Sequence, residues 1–196
     1  MPTTQPYEET TMALRVPKAE LPAEVVETMT EQFGALPEPL EVMSHNPKVA
    51  EDTFGWGQMV AGWSVADESL KSFAHMAVAS LIGCSWCLDV SYFQALNLQL
   101  DLTKASQVPR WRESEVFTPL ERDVLEYAEA VTTTPPTVTD ELVARLLAEL
   151  GPAALVELTS VIGFANLSSR GNIALGITSQ GYSEACEIPL AARVKG

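Results

Sequence analysis

The start and stop signals of helices, together with the helical spacing of apolar residues between them, constrain the fold of this chain more than any other feature. Apolar residues recur at helical spacing between cap and stop signals, and no segment alternates with period two over the length of a strand. The segment at residue 118 is the strongest case, because Thr118 suits the cap, Pro119 the first helical position and Glu121 a capping box. The pattern predicts an all-α fold with about eight to ten helices.

The predicted helices follow a polar stretch with several prolines that ends near Leu21, which we interpret as an extended N-terminal arm. Glycines 34, 83 and 151 are predicted to stop three of the helices, and Asp67 is a candidate N-cap for one of them. The predicted segments are Ala23 to Phe33, Glu38 to Ser44, Pro47 to Trp63, Glu68 to Ile82, Cys84 to Leu98, a short one from Asp101 to near Pro109, one from Thr118, one from Thr139 to Gly151 and one from Pro152 toward Leu175.

The charge of the chain limits its partners. It carries 26 acidic and 12 basic side chains, a net charge of −14, within 196 residues. Binding to nucleic acid and docking on anionic lipid both rely on clustered Lys and Arg, so neither is expected. The length and a hydrophobic fraction of 46% favour one globular domain.

The sequence gives no indication of a secretory leader or a membrane span. The first residues, MPTTQPYEETTM, contain neither a basic n-region nor an apolar h-region. The longest uncharged apolar run, Met76 to Leu88, is shorter than the roughly 20 residues of a membrane helix. We therefore expect a soluble, cytoplasmic protein, where a close cysteine pair indicates redox chemistry or metal binding more often than a structural bridge.

One motif carries a chemical mechanism, the run Cys84-Ser85-Trp86-Cys87 at a predicted helix start. Cysteines at this spacing lie on one helix face, close enough to form a disulfide. The free amides and positive dipole end of the helix stabilise a thiolate, which attacks a peroxide or a disulfide before the second cysteine resolves the product. The alternative is a pair of inert, buried thiols.

Neither a metal nor a cofactor is expected. Zinc usually takes four ligands, often from two pairs of cysteines, and here Cys186 and His75 would have to complete the set. Cys186 stands alone near the C-terminus, and we assign it no role.

Four segments, in order along the chain, resemble the carboxymuconolactone decarboxylase/AhpD superfamily of alkylhydroperoxidase-like proteins. LIGCSWCLDVSYFQALNLQLD is similar to the family's cysteine segment, which reads roughly GCxxC at a helix start. HNPKVAEDTFGW resembles an earlier family helix, FTPLERDVLEYAEAVTTTPPTVTDELVARL the helical hairpin after the core, and FANLSSRGNIALGI the closing helix with its N-x-x-x-R pattern. The resemblance extends over about residues 22 to 183.

The resemblance implies an AhpD-like, all-helical fold that forms an obligate homo-oligomer, commonly a trimer or a hexamer. It divides the chain into an arm (1–21), a single helical domain (22–183) and a C-terminal tail (184–196). For the AhpD branch it implies a peroxidase driven by a dithiol–disulfide cycle, with a small peroxide or disulfide as substrate and a thiol reductant as partner.

The family's site residues match this chain in part. In AhpD-type members the second cysteine, here Cys87, meets the peroxide, and the first, here Cys84, resolves it. The family's glutamate falls on Ser72 and its histidine on Ser91, so both members of the proton relay are replaced. That relay deprotonates the cysteine and protonates the leaving alkoxide, so a substitute has to come from other residues.

His75 is the best candidate for that substitute. It lies one turn beyond Ser72 on the same face of the predicted helix, and histidine alone titrates near neutrality without perturbation. Ser72 and Ser91 would then hold water where the relay stood. The alternative is a packed histidine bonded to a backbone carbonyl.

Several neighbouring residues are candidates for the pocket. Asp89 and Tyr92 are close to the cysteines, although an acid in the first turns more often favours the helix dipole, and Tyr92 suits a wall or the core. Trp86 is a candidate pocket wall. Asn166 and Arg170, on the last predicted helix, either bond backbone groups at an interface or bind an anionic ligand, and we favour the structural role.

Three functions compete. The favoured hypothesis is a thiol oxidoreductase that cycles Cys84 and Cys87 between dithiol and disulfide. The second is a non-redox enzyme of the same family that decarboxylates or isomerises a small carboxylated lactone, with Arg170 holding the carboxylate. The third is a catalytically degenerate binding protein that keeps its cysteines only for packing.

Overall fold

The computed structural model describes residues 14–192, and every regular element in that range is a helix, which confirms the predicted all-α fold. Two 3₁₀ turns, Val108–Glu113 and Tyr182–Ala185, accompany the α-helices. The helices are α1 (Ala23–Phe33), α2 (Glu38–Met43), α3 (Pro47–Ala61), α4 (Glu68–Ile82), α5 (Ser85–Asn97), α6 (Leu102–Gln107), α7 (Pro119–Thr132) and α8 (Asp140–Leu175).

Local capping explains where α4 and α7 begin and where α4 ends. Asp67 accepts a hydrogen bond from the amide of Ser69, and Gly83 ends α4 in the left-handed region at φ 86°. Thr118 and Glu121 form the predicted capping box at the start of α7. These contacts satisfy backbone amides that the helix itself leaves without partners.

Helix α8 contains a break that the sequence predicts. Gly151 has φ 73° and ψ 169°, outside the helical region, and Pro152 follows it. Glycine tolerates the positive φ, and proline lacks the amide that an uninterrupted helix would use. The two predicted helices therefore meet at this break, as the sequence predicts, and α8 denotes both of them together.

Helix α4 forms the centre of the core, where it packs against α5, α7 and α8. Its side chains Phe73, Met76 and Val78 have no exposed surface, whereas α1 contributes no buried residue at all. Partners of α4 in the core include Tyr92, Ala95, Val124, Leu125, Ala128, Leu142, Leu146, Leu158 and Ile162.

The described part of the N-terminal arm, residues 14–21, contains no helix and lies against the end of α8. The Arg15 amide donates to the Leu175 carbonyl at 2.9 Å, and its guanidinium donates to the carbonyls of Ile173 and Ala174. A cation at a helix C-terminus is electrostatically favourable. Residues 1–13 of the predicted arm lie outside the described residues.

The described part of the C-terminal tail, residues 184–192, runs back over the domain. The amide of Ala191 donates to the carbonyl of Ser106 at 2.9 Å, and Cys186 and Leu190 pack against the core. Burial and the nearby charge of Asp89 raise the pKa of the Cys186 thiol. Residues 193–196 are outside the described range.

Helix α8 is long and apolar enough to cross a membrane by length and composition, a property that a search for uncharged runs misses because Glu157 interrupts the run. The helix packs against α4 and α7 and is broken at Gly151. A core helix of a soluble domain passes the same length test, so this one helix is weak evidence for a membrane span. Cytoplasmic location stays a prediction.

Candidate functional site

The cysteine pair lies at the junction between α4 and α5. Gly83 turns the chain, and Cys84 becomes the N-cap of α5, with its sulfur accepting a hydrogen bond from the Cys87 amide at 3.2 Å. Cys84 and Cys87 are joined by a disulfide, with their Cα atoms 5.3 Å apart. Both residues are 1% exposed, so the pair belongs to the protein interior.

A cavity of about 460 Å³ is lined by residues of α1, α2, α3, α4, α5 and α8, and Cys87 lines it whereas Cys84 does not. The two sulfurs of the pair are therefore not equivalent: one faces a space that a ligand can occupy, and the other lies behind it. Trp86 also lines the cavity, as the sequence predicts for a pocket wall. The apolar lining includes Val25, Met29, Phe33, Leu40, Met43, Phe54, Val60, Val90, Val161 and Phe164.

One face of α4 supplies a polar stripe to the cavity, formed by Glu68, Lys71, Ser72 and His75. These positions recur every three or four residues, which places them on one helix face. Burial lowers the pKa of His75 to about 4, although part of its surface remains accessible at the cavity. The imidazole is therefore neutral at pH 7 and is a weak proton acceptor.

Lys71 is the cation of this stripe, and its charge is already compensated. Its ammonium lies 2.8 Å from the Glu68 carboxylate and 3.7 Å from that of Glu157, and it also donates to the carbonyl of Trp63. Glu157 in turn accepts a hydrogen bond from the amide of Val65 at 3.0 Å. The cluster ties the loop before α4 to α8 and leaves Lys71 committed to protein partners.

Two polar groups beside the disulfide lack partners. Ser91, one turn after Cys87 on α5, and Asn172, on α8, both line the cavity. The Asn172 amide nitrogen donates to the Cys87 sulfur at 3.4 Å, while its oxygen and the Ser91 hydroxyl are buried without a hydrogen bond from any residue in the described range. Buried polar groups without hydrogen bonds are uncommon, because each lowers the stability of the fold. Their presence beside Cys87 makes this side of α5 a candidate functional site.

Asp89 points away from the cavity and secures the chain after α8. Its carboxylate accepts hydrogen bonds from the Ser179 hydroxyl and from the amides of Gln180, Gly181, Tyr182 and Ser183. Burial opposes its charge, but the hydrogen bonds outweigh it and lower the pKa of Asp89. The structure gives this residue a structural contact set and does not bring it to the cavity.

The segment after α8 also contacts the cysteine motif through Gln180. Its side-chain oxygen accepts hydrogen bonds from the indole of Trp86 and from the amide of Glu38, both at 2.8 Å. Its nitrogen donates to the carbonyl of Leu36 at 3.0 Å. Gln180 therefore connects Trp86, one of the two residues between the cysteines, to the start of α2, whose residues also line the cavity.

Three further candidates from the sequence lie outside the cavity lining. The Tyr92 hydroxyl donates to the carbonyl of Ile188 at 2.6 Å, and burial raises the pKa of Tyr92 to about 12. Asn166 donates to the Thr132 hydroxyl, and Arg170 donates to the Thr132 carbonyl and to Asn166. The last two residues hold the end of α7 against α8 within one chain, whereas the structural role that we favoured placed them at an interface.

Sequence reasoning missed Asn172, Glu68 and Lys71. The N-x-x-x-R pattern directs attention to Asn166, and Asn172 lies six positions later on a different face of α8. The sequence does contain a signal for the other two, since Glu68 and Lys71 share the predicted helix face of His75. Within residues 14–192, no group of three His, Cys, Asp or Glu side chains is placed to hold a metal ion.

Comparisons with known proteins identify the family of this chain and its fold. The model of the carboxymuconolactone decarboxylase family matches residues 47–130, which include α4, α5 and the cysteine pair. Uncharacterized protein YnjA of Escherichia coli (strain K12) is 39% identical over 136 residues, 67% of this chain and 73% of that protein. Uncharacterized protein YdfG of Bacillus subtilis (strain 168) is 25% identical over 114 residues, 58% of this chain and 78% of that protein.

Solved structures show the same fold at lower identity. The debrominase Bmp8, solved as a cysteine-to-alanine variant in complex with 2,3,4-tribromopyrrole, is 21% identical, with a TM-score of 0.77 over 89% of this chain and 96% of that one. A peroxidase-related protein with an alkylhydroperoxidase AhpD core from Ralstonia eutropha JMP134 is 16% identical, with a TM-score of 0.77 over 90% of this chain and 97% of that one.

Proposed function

This chain belongs to the carboxymuconolactone decarboxylase family, and from that premise we propose that it is a thiol-dependent oxidoreductase that reduces a peroxide or a small disulfide. The observation that carries the proposal is the asymmetry of the cysteine pair. Cys87 lines a cavity of about 460 Å³, and Cys84 lies behind it within disulfide distance. In this proposal Cys87 meets the substrate and Cys84 resolves the product.

With a peroxide as substrate, the two thiols of Cys84 and Cys87 supply the two electrons that reduce the O–O bond. The Cys87 thiolate attacks one peroxide oxygen, the O–O bond breaks, and the other oxygen leaves as an alcohol or water after taking a proton. The Cys84 thiolate then displaces water from the Cys87 sulfenic acid and forms the disulfide. An external thiol reductant returns both cysteines to thiols and is itself oxidised to a disulfide.

In this site the amides and the dipole of α5 favour formation of the Cys87 thiolate more than a strong base does. Cys87 lies in the first turn of α5, where free amides and the helix dipole favour negative charge. His75 is neutral at pH 7 because burial lowers its pKa to about 4. In this proposal its neutral ring orients substrate or water at the cavity wall.

The lactone-acid alternative lacks a binding group for the carboxylate. Among the described cavity-lining residues, Lys71 is the only cation, and it is paired with Glu68 and Glu157. Arg170 is engaged with the end of α7 and does not line the cavity. Binding an anion here would require breaking an existing buried ion pair, which is strongly unfavourable.

A second candidate reaction would use the same dithiol to remove a halogen from an apolar ring. The fold is shared with a debrominase that binds 2,3,4-tribromopyrrole, and this cavity is lined by the rings of Phe33, Phe54 and Phe164. In such a reaction a carbon–halogen bond breaks, a carbon–hydrogen bond forms and halide leaves. The two electrons come from Cys84 and Cys87, which end as the disulfide.

The test is thiol stoichiometry in a Cys186→Ser background, which removes the spare thiol. Reduced protein is mixed with hydrogen peroxide, cumene hydroperoxide or 2,3,4-tribromopyrrole, and free thiols and products are counted. We expect the loss of two thiols per chain for each substrate molecule, and turnover with a dithiol reductant. Each cumene hydroperoxide should yield one cumyl alcohol and one water, each hydrogen peroxide two waters, and each tribromopyrrole one bromide and one dibromopyrrole. Cys87→Ser should abolish turnover, whereas Cys84→Ser should stop at a trapped Cys87 sulfenic acid.

Two outcomes would reject the proposal. Unchanged turnover in Cys87→Ser would exclude Cys87 as the attacking group. No thiol loss with any substrate, together with a Cys87 pKa near the free-thiol value of about 8.5, would favour the catalytically degenerate binding protein instead.

The homo-oligomer implied by the resemblance stays a prediction. It is supported by exposed apolar side chains on α3 and α8, because Met59 is 62% exposed, Val156 66% and Leu167 49%. Apolar surface of this kind is a common mark of a protein interface. Light scattering on the full chain measures the oligomeric state directly.

A further inference from the structure

We propose that Asn172 is a catalytic residue that stabilises the Cys87 thiolate by a direct hydrogen bond. The inference rests on the proposed dithiol function for its biological use, but its physical content concerns the sulfur alone. The Asn172 amide nitrogen lies 3.4 Å from the Cys87 sulfur, and Asn172 is 2% exposed. The contact joins residues 85 positions apart in the sequence.

The remaining contacts of Asn172 do not explain why an asparagine is buried at this position. Its side-chain oxygen has no hydrogen bond from any part of the chain that the structure describes, and its nitrogen contacts only the sulfur. Burying an amide with half of its capacity unused costs about 1–3 kcal/mol relative to a satisfied group. An apolar side chain such as leucine would be the more stable choice if packing alone mattered.

A second asparagine on the same helix shows what a structural role looks like. Asn166 donates to the Thr132 hydroxyl and the Ile162 carbonyl, and its oxygen accepts from Arg170. Each polar atom of Asn166 has a protein partner. Asn172 differs because its one side-chain partner is the sulfur that faces the cavity.

The strength of this contact depends on the redox state of Cys87. A disulfide sulfur is a weak acceptor, whereas a thiolate is a full anion and forms a charge-assisted hydrogen bond of roughly twice the strength. Asn172 therefore stabilises the reduced, deprotonated form more than the disulfide. The Cys84 sulfur already has the Cys87 amide as its donor, so each sulfur of the pair has one N–H of its own.

The test measures the ionisation of Cys87 without any substrate. In the full chain with Cys84→Ser and Cys186→Ser, Cys87 is the only thiol, and the serine that replaces Cys84 retains an oxygen that can cap α5. The pH dependence of iodoacetamide alkylation then reports the Cys87 pKa. Asn172→Leu should raise that pKa by at least about one unit, which slows alkylation about tenfold at a pH below the thiol pKa.

Ser169→Ala is the matched control, because the Ser169 hydroxyl on α8 is also buried without a hydrogen-bond partner among residues 14–192 but does not line the cavity. It should leave the alkylation profile unchanged. Asn172→Ala also removes the donor, so it should raise the Cys87 pKa in the same direction, and it serves if Asn172→Leu fails to fold. An unchanged or lowered Cys87 pKa in the folded Asn172 variant overturns the inference.

A second measurement addresses the disulfide itself. With Cys84 and Cys87 both present and Cys186→Ser, Asn172→Leu should lower the equilibrium constant for reduction by a thiol buffer about tenfold, which corresponds to a potential about 30 mV lower. Neither measurement depends on peroxide turnover. A protein that fails every substrate test but shows the Asn172 effect would reject the proposed function and retain this inference; the reverse result would reject the inference alone.

Discussion

The two faces of α5 carry polar clusters that differ in how completely their hydrogen bonds are satisfied. On one face, Asp89 accepts from a hydroxyl and four backbone amides of the segment after α8. On the other face, Ser91 and the oxygen of Asn172 are buried with no partner in the described chain, beside the sulfur of Cys87. The first cluster holds the fold together, and the second is the candidate reaction site.

The difference shows how burial alone misleads. Asp89 and Ser91 are both nearly inaccessible and both lie within about one turn of the cysteine pair. The two residues differ in whether their hydrogen bonds are satisfied. A satisfied buried polar group stabilises the native state, whereas an unsatisfied one destabilises it. Buried groups that lower the stability of the fold and form no contact that supports it are typical of functional sites.

The largest loss of stability from a single substitution is expected at Asp89, on the face of α5 whose hydrogen bonds are satisfied. Asp89→Asn removes the charge and one acceptor oxygen from five hydrogen bonds, so we expect the free energy of unfolding to fall by about 3 kcal/mol. Urea denaturation measures the change. Asp52→Asn is the control, since Asp52 is an exposed partner of Lys48 and should change stability by less than about 1 kcal/mol. Equal losses in both variants would contradict the comparison.

His75 predicts a pH dependence of stability, with a slope per pH unit that is smaller than the loss expected for Asp89→Asn. Its pKa is lowered from 6.5 to about 4 by burial, so the unfolded chain binds a proton in that interval that the folded chain does not. The free energy of unfolding should therefore fall as pH decreases from 6.5 to 4, by at most about 1.4 kcal/mol per pH unit from this group.

His75→Gln should flatten the dependence of stability on pH in urea titrations between pH 4 and 6.5. The control is His45→Gln, because the His45 ring is exposed and forms a hydrogen bond with the backbone carbonyl of Pro17 at 2.8 Å. That variant should keep the steeper slope of the original chain. A slope that is identical in the His75→Gln variant would mean that His75 titrates alike in the folded and unfolded chains.

The smallest change in the free energy of unfolding is expected for Ser91, on the face of α5 whose hydrogen bonds are not satisfied. The sign of that change is the informative result. Ser91→Ala removes a buried hydroxyl that has no partner in the described chain, so the free energy of unfolding should stay unchanged or rise by up to about 1 kcal/mol. Ser106→Ala is matched in chemistry and burial, but its hydroxyl donates to the carbonyl of Thr103 at 2.9 Å, so about 1 kcal/mol should be lost. A clear loss in Ser91→Ala would show that Ser91 has a structural partner.

Much of the fold was predictable because its signals are local. The N-cap at Asp67, the capping box at Thr118 and the break at Gly151 each depend on residues within one helical turn. The site was predictable only in part. Cys87, His75 and Ser72 line the cavity as the helix periodicity suggests, whereas Asp89, Tyr92 and Arg170 turn to other partners.

The sequence by itself determined that the chain is helical, where most helices start to within a residue, and that a cysteine pair lies at the start of one of them. Only the tertiary structure decided that Cys87 and not Cys84 lines the cavity, and that Asn172 rather than Asn166 reaches the sulfur. Capping depends on hydrogen bonds between residues within a few positions of each other, so the sequence encodes it directly. The orientation of a helix face depends on packing against segments far along the chain, which local patterns do not specify.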